Sequence, residues 1–191
     1  MIAALVLLAV VVLVVLWIIG AYNGLIGLKN KVANGWKQID VQLKRRHDLI
    51  PNLVNTVKGA MDFERNTLEA VIAARNKAVN ATGVAATAKA EGELTQALGR
   101  LFALTEAYPN LKATGNVAQL QEELTSTENK IGFARQLYND VATEYNTRQA
   151  TFPTLLVAGL AKATPAELWQ ITDDTERAVP TVDLSTTKPA P

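Results

Sequence analysis

This chain of 191 residues contains no cysteine and one histidine. Without cysteine there are no disulfides, thiolate metal sites or cysteine nucleophiles, and the absence suits a reducing compartment. With one histidine, a di-metal carboxylate centre is out of reach, because that site needs two Glu-x-x-His motifs on facing helices. Lys44, not Glu, stands three residues before His47, so the motif fails even there. His47 reads as a solvated or packing residue. No glycine-rich dinucleotide fingerprint, phosphate loop or Gly-x-Ser-x-Gly elbow occurs. Glu122, Glu123 and Glu128 read as the solvated flank of a helix. The sequence therefore offers no catalytic residue, no metal ligand set and no cofactor site.

Charge is missing from the first nineteen residues, and fourteen of them are Leu, Ile or Val. Their transfer into a bilayer is favourable by roughly 4 to 8 kcal/mol, and their helical length just crosses a hydrocarbon core of about 30 Å. A secretory signal would begin with a basic stretch and end in a small-x-small cleavage site. No Lys or Arg precedes the run, and Ile19-Gly20-Ala21 is a poor cleavage site. Residues 1–21 are thus expected to be a retained anchor. Before residue 60, seven basic residues, Lys29 and Lys31 among them, stand against Asp40 and Asp48. The positive-inside rule then puts the N-terminus outside and the following domain in the cytoplasm, as a single-pass protein of the cell (inner) membrane. After residue 60 the balance turns acidic, twelve basic against sixteen acidic residues. That asymmetry suits anionic lipid near the anchor and argues against nucleic acid, which would require a basic patch over the domain itself.

No segment of useful length has a β period. Leu25, Leu28, Val32, Trp36, Ile39, Leu43, Ile50, Leu53 and Val57 recur at three- and four-residue steps, predicting one helix over about 22–58 that continues the span. Pro51 lies inside it, so a kink is expected. A second helix is predicted over about 62–80 and a third over about 84–108, ended by Pro109. Asn116 can cap a fourth, about 117–150, with a stripe of Val117, Leu120, Leu124, Ile131, Ala134, Tyr138, Val141 and Tyr145 broken once at Thr127 and Glu128. The fold class is all-α: an N-terminal transmembrane helix followed by an antiparallel up-and-down four-helix bundle over 22–150. Residues 151–178 form an apolar segment and short helix, and 179–191 an extended tail. The fourth helix returns towards the bilayer. Leu155, Leu156 and Leu160 then either cover the bundle end or lie in the membrane interface, where Trp169 would also suit.

Gly20 and Gly24 make a Gly-x-x-x-Gly spacing at the membrane exit, either a site of helix association or a loosened junction. Arg46 falls on or beside the apolar stripe, and Arg75 and Arg135 pose the same question in the second and fourth helices. They either snorkel to the bundle edge or form a buried polar layer that fixes register. Glu64, Glu128 and Asp140, on other helices, are the candidate partners for Arg46.

The run Tyr22-Asn23-Gly24-Leu25, the block Gln42-Leu43-Lys44-Arg45-Arg46-His47-Asp48-Leu49-Ile50-Pro51-Asn52-Leu53-Val54, and Phe133-Ala134-Arg135, Tyr138-Asn139, Tyr145-Asn146, Phe152-Pro153 and Glu176-Arg177-Ala178-Val179-Pro180 resemble the signature of the LemA family of bacterial membrane proteins. The resemblance spans Tyr22 to Leu184. It implies an N-terminal anchor with its short end outside and a cytoplasmic antiparallel four-helix bundle, and it carries over no catalytic residue. The expected function is a non-enzymatic scaffold or adaptor. Its partners are membrane lipids through the anchor, unidentified membrane or cytoplasmic proteins, and a candidate homo-oligomer. The alternative is a membrane-shaping or lipid-surface-binding protein.

Overall fold

The three- and four-residue spacing of apolar side chains in the first third of the chain produces a helix, α1, running without interruption over Ile2–Lys58 in a computed structural model that describes residues 1–58, 64–108 and 115–170. Its first third is exposed apart from the half-buried Ile18 and is long and apolar enough to cross a membrane. From Leu25 onward one face is buried, through Leu28, Ile39, Leu43, Ile50, Leu53 and Val57. The helix passes through Pro51 unbroken. The second helix, α2 (Arg65–Val79), and the third, α3 (Val84–Glu106), form a hairpin. Gly83 supplies the positive φ of +85° that ends the turn, a conformation costly for any residue with a Cβ.

The fourth helix, α4 (Gly115–Ala150), returns antiparallel to α1. Asn116 lies within its first turn, not at a cap, because the helix begins one residue earlier. The break expected at Thr127 and Glu128 is closed: Thr127 is buried, and its hydroxyl donates to the carbonyl of Glu123, so a polar residue continues the seam. At the next turns Ala142, not Val141, takes the fully buried position. One turn of helix, α5 (Leu155–Ala158), follows. The tail predicted over 179–191, and residues 171–178 before it, lie outside the described residues.

Three clusters of apolar side chains succeed one another along α1. Farthest from the span, Ile50, Leu53 and Val57 pack against Leu68 and Val71 of α2, Leu94, Leu98 and Leu101 of α3, and Val117 and Leu124 of α4. In the middle, Ile39 and Leu43 meet Ala88, Ile131, Tyr138 and Trp169. Nearest the span, Leu25 and Leu28 pack on Tyr145 and Ala161. The α2–α3 hairpin is too short to reach this last layer, since 15 residues of α2 rise only about 22 Å. A non-helical strap, residues 163–170, covers the α1–α4 groove in its place. The segment expected to hold only an apolar stretch and short helix thus also completes the bundle. α1 and α4 approach closely at Gly35, where a Cβ would lie 3.4 Å from the Tyr138 Cα.

Candidate functional site

Two buried polar constellations occupy the bundle, one in its centre and one under the strap. The central one is built on Arg46 of α1, which is 3% exposed. Its Nη1 pairs with Glu91 Oε2 at 3.2 Å and Glu128 Oε2 at 2.9 Å, while Nη2 donates to Thr95 Oγ1 at 2.8 Å. Glu91, equally buried on α3, also accepts from His47 Nε2 at 2.6 Å. Burying a guanidinium is costly unless its charge and its donors are matched, and here two carboxylates and a hydroxyl match them. The layer links α1, α3 and α4 at one height.

Arg75 joins from α2. Its Nε donates to the carbonyl oxygen of His47 at 2.8 Å. That carbonyl is the one that would accept from residue 51 in a regular helix, and Pro51 has no N–H to give. Arg75 supplies the missing donor and so ties α2 to α1. Arg135 lies elsewhere: its guanidinium stands over the Trp169 ring, 5.2 Å from the centroid, so it belongs to the strap and not to the layer. Of the carboxylates proposed for Arg46, Glu128 reaches it, whereas Glu64 and Asp140 do not. Glu91 was the missing partner. The sequence carries a signal for it, since Glu91 shares the helical face of Leu94, Leu98 and Leu101.

The second constellation reads the backbone of the strap. Asn146 Nδ2 donates to the Ala166 carbonyl at 2.8 Å and its Oδ1 accepts from the Ala166 N–H at 2.7 Å. Two turns earlier on α4, Asn139 does the same to Trp169, at 2.9 and 2.8 Å. The Tyr138 hydroxyl donates to the Glu167 carbonyl at 2.6 Å. Seven residues on a helix and three in an extended chain each advance roughly 10 Å, so two asparagines match every third strap residue. Trp169 then stacks 6.0 Å from Trp36, which meets Tyr138 edge-on at 5.8 Å. Burial, and secondarily the carboxylate of Glu167, raise the pKa of Tyr138 above the ordinary tyrosine value. Trp169 is therefore a core residue, which corrects the expectation that it sits in a membrane interface.

The other expected interface residues are exposed: Lys29, Lys31, Leu155, Leu156 and Leu160. Val157 and Ala161, from the same segment, are buried at the bundle end, so this stretch packs one side inward and leaves its leucines outside. Gly20 and Gly24 face open space. An apolar surface that sequence reasoning missed lies on the outer side of α1 and α4, where Val41, Phe133 and Leu137 line a groove of about 440 Å³. Phe133 is 74% exposed, and Gln42, which also lines the groove, has a buried Oε1 with no partner among the described residues. Among these residues no cluster of His, Asp or Glu converges as a metal site would.

A helical bundle carried on a candidate membrane span, with a buried ion-pair layer across three helices and a strap clamped by asparagines, is the class of protein these features define. The family model described as "LemA family" matches residues 35–184, and the chain belongs to that family. Protein LemA of Metamycoplasma hominis is 30% identical over 142 residues, covering 73% of this chain and 64% of that protein. Magnetosome proteins MamQ 1 and MamQ 2 of Paramagnetospirillum magneticum are each 31% identical over 81 residues, covering 42% of this chain and 30% of theirs. The chain thus spans less than two thirds of the length of these relatives.

Proposed function

We propose that the protein is a non-enzymatic scaffold, tethered to the cell (inner) membrane by α1 with its N-terminus outside, that presents its cytoplasmic bundle to a protein partner or to copies of itself. The observation that carries this reading is the groove of Val41, Phe133 and Leu137. Val41, Phe133 and Leu137 put three exposed apolar side chains side by side across α1 and α4, and a contiguous apolar patch of this kind fits a surface that is covered in the working state. The continuity of α1 from span to bundle holds that groove at a fixed height above the bilayer. Similarity to two magnetosome proteins over 81 residues accords with association with a membrane. The test is the assembly state of the full chain in mild detergent, with and without Phe133→Glu. A larger species that the substitution shrinks supports the scaffold; a monomer that also forms no contacts at Phe133 in the membrane contradicts it.

A further inference from the structure

α4 and α1 are in fixed register. Tyr138 lies against Gly35, and Tyr145 packs with Leu25 and Leu28, so antiparallel helices rising 1.5 Å per residue bring Ala150 level with about residues 21–23. That is where the apolar run gives way to Tyr22, an aromatic suited to the headgroup level. The turn after α4 therefore stands at the height of the membrane surface. There the chain exposes four large apolar side chains within nine residues: Phe152 at 75%, Leu155 at 54%, Leu156 at 67% and Leu160 at 69%. Leu155 and Leu156 are adjacent, with Phe152 three residues before the pair and Leu160 four after it. Their neighbours Val157 and Ala161 are buried against the bundle end, so the outward leucines are fixed in place. Arg148 and Lys162, both exposed, flank the group on either side, and Lys29 and Lys31 are exposed on α1 close by.

We propose that Phe152, Leu155, Leu156 and Leu160 form a second membrane contact, inserting into the interface of the same leaflet that the α1 span leaves. This rests on α1 being the membrane anchor. The occupant is lipid because the group is continuous in height with the lipid-facing end of the span, and apolar tips ringed by cations are what an anionic interface takes up. The contact holds the bundle against the bilayer at a second point beside the span.

The absence of native cysteine permits unique labelling. The full chain, carrying an environment-sensitive fluorophore at Leu156→Cys, Val10→Cys or Val41→Cys in turn, is reconstituted in vesicles of phosphatidylcholine and phosphatidylglycerol, with and without doxyl-labelled lipid. The expected result is quenching at Leu156 at least half as strong as at Val10, inside the span, against none at Val41, well out along the bundle. Quenching at Val10 with none at Leu156 overturns the proposal and leaves the anchor standing. A Leu156 label that escapes lipid quenching but crosslinks between chains overturns it in favour of a second copy. No quenching at Val10 removes the anchor reading and this contact with it.

Discussion

The Nε of Arg75 donates at 2.8 Å to the carbonyl oxygen of His47, the acceptor that the N–H of residue 51 would serve if that residue were not proline. A side chain of α2 thus completes the hydrogen bonding of α1. Replacing Arg75 by Met should cost about 1–3 kcal/mol, the range for a buried acceptor left open. In a Pro51→Ala background the backbone supplies its own donor, and the same replacement should cost much less. Chemical denaturation of the four variants in detergent measures the difference as a coupling energy. Equal costs in both backgrounds would show that Arg75 stabilises by some other contact.

Glu91 is the hub of the polar layer, holding both Arg46 and His47. Glu91→Ala should destabilise by about 3 kcal/mol, since breaking a buried pair leaves Arg46 with the half-exposed Glu128 as its one carboxylate. Glu128 is 40% exposed at its side chain, and its removal should cost no more than about 1 kcal/mol. The double replacement Arg46→Met with Glu91→Leu should recover most of the loss. Melting temperatures of the full chain rank the four proteins, and an order in which Glu128→Ala is the worst would refute this arrangement.

The strap is held by side chains that read main chain. Asn139→Ala and Asn146→Ala each remove a paired hydrogen bond and should each cost about 1–3 kcal/mol. Together they should free residues 163–170 without unfolding the helices. Hydrogen exchange resolves the two cases: fast exchange confined to the strap agrees, whereas uniform loosening of α1 and α4 does not.

Tyr138 gives the strap a sign with pH. Its folded pKa is raised by burial and by Glu167, so below the ordinary tyrosine value of about 10 it is neutral in both folded and unfolded chains. Above that value the unfolded chain loses its proton first, and stability falls as pH rises until the folded pKa is passed. Tyr138→Phe should be less stable near pH 8, having lost its bond to the Glu167 carbonyl, yet should decline less steeply above pH 10. Parallel declines for the two proteins would place the alkaline sensitivity elsewhere.

Much of this architecture could be read from residue spacing. Leu25, Ile39, Leu43 and Leu53 announced the buried face of α1 because burial on a helix is periodic, and the periodicity is local. The strap was not legible in that way. Its position is set by Asn139 and Asn146, which bind backbone atoms 20 to 30 residues away, and no pattern within 163–170 announces it. Trp169 consequently suggested an interface when it is core. Glu91 was legible and missed, because a carboxylate in an alanine-rich helix reads as solvated unless its face is compared with Leu94 and Leu98. The groove at Phe133 could not be seen either, since sequence gives the amphipathic face of α4 but not which of its outward residues lies beside Val41 of α1.

The scaffold reading requires this outer face of α1 and α4 to be covered when the protein works. A photo-crosslinking amino acid placed at Phe133 of the full chain, irradiated in the native membrane and read by mass spectrometry, tests it most directly, with the exposed Ile72 of α2 as the control position. Discrete adducts are expected from residue 133 to one defined surface, of a second copy or of a single partner protein, lost on replacing Leu137 by Glu and absent from residue 72. Residue 133 giving only the diffuse, solvent-quenched products seen at residue 72 would contradict it.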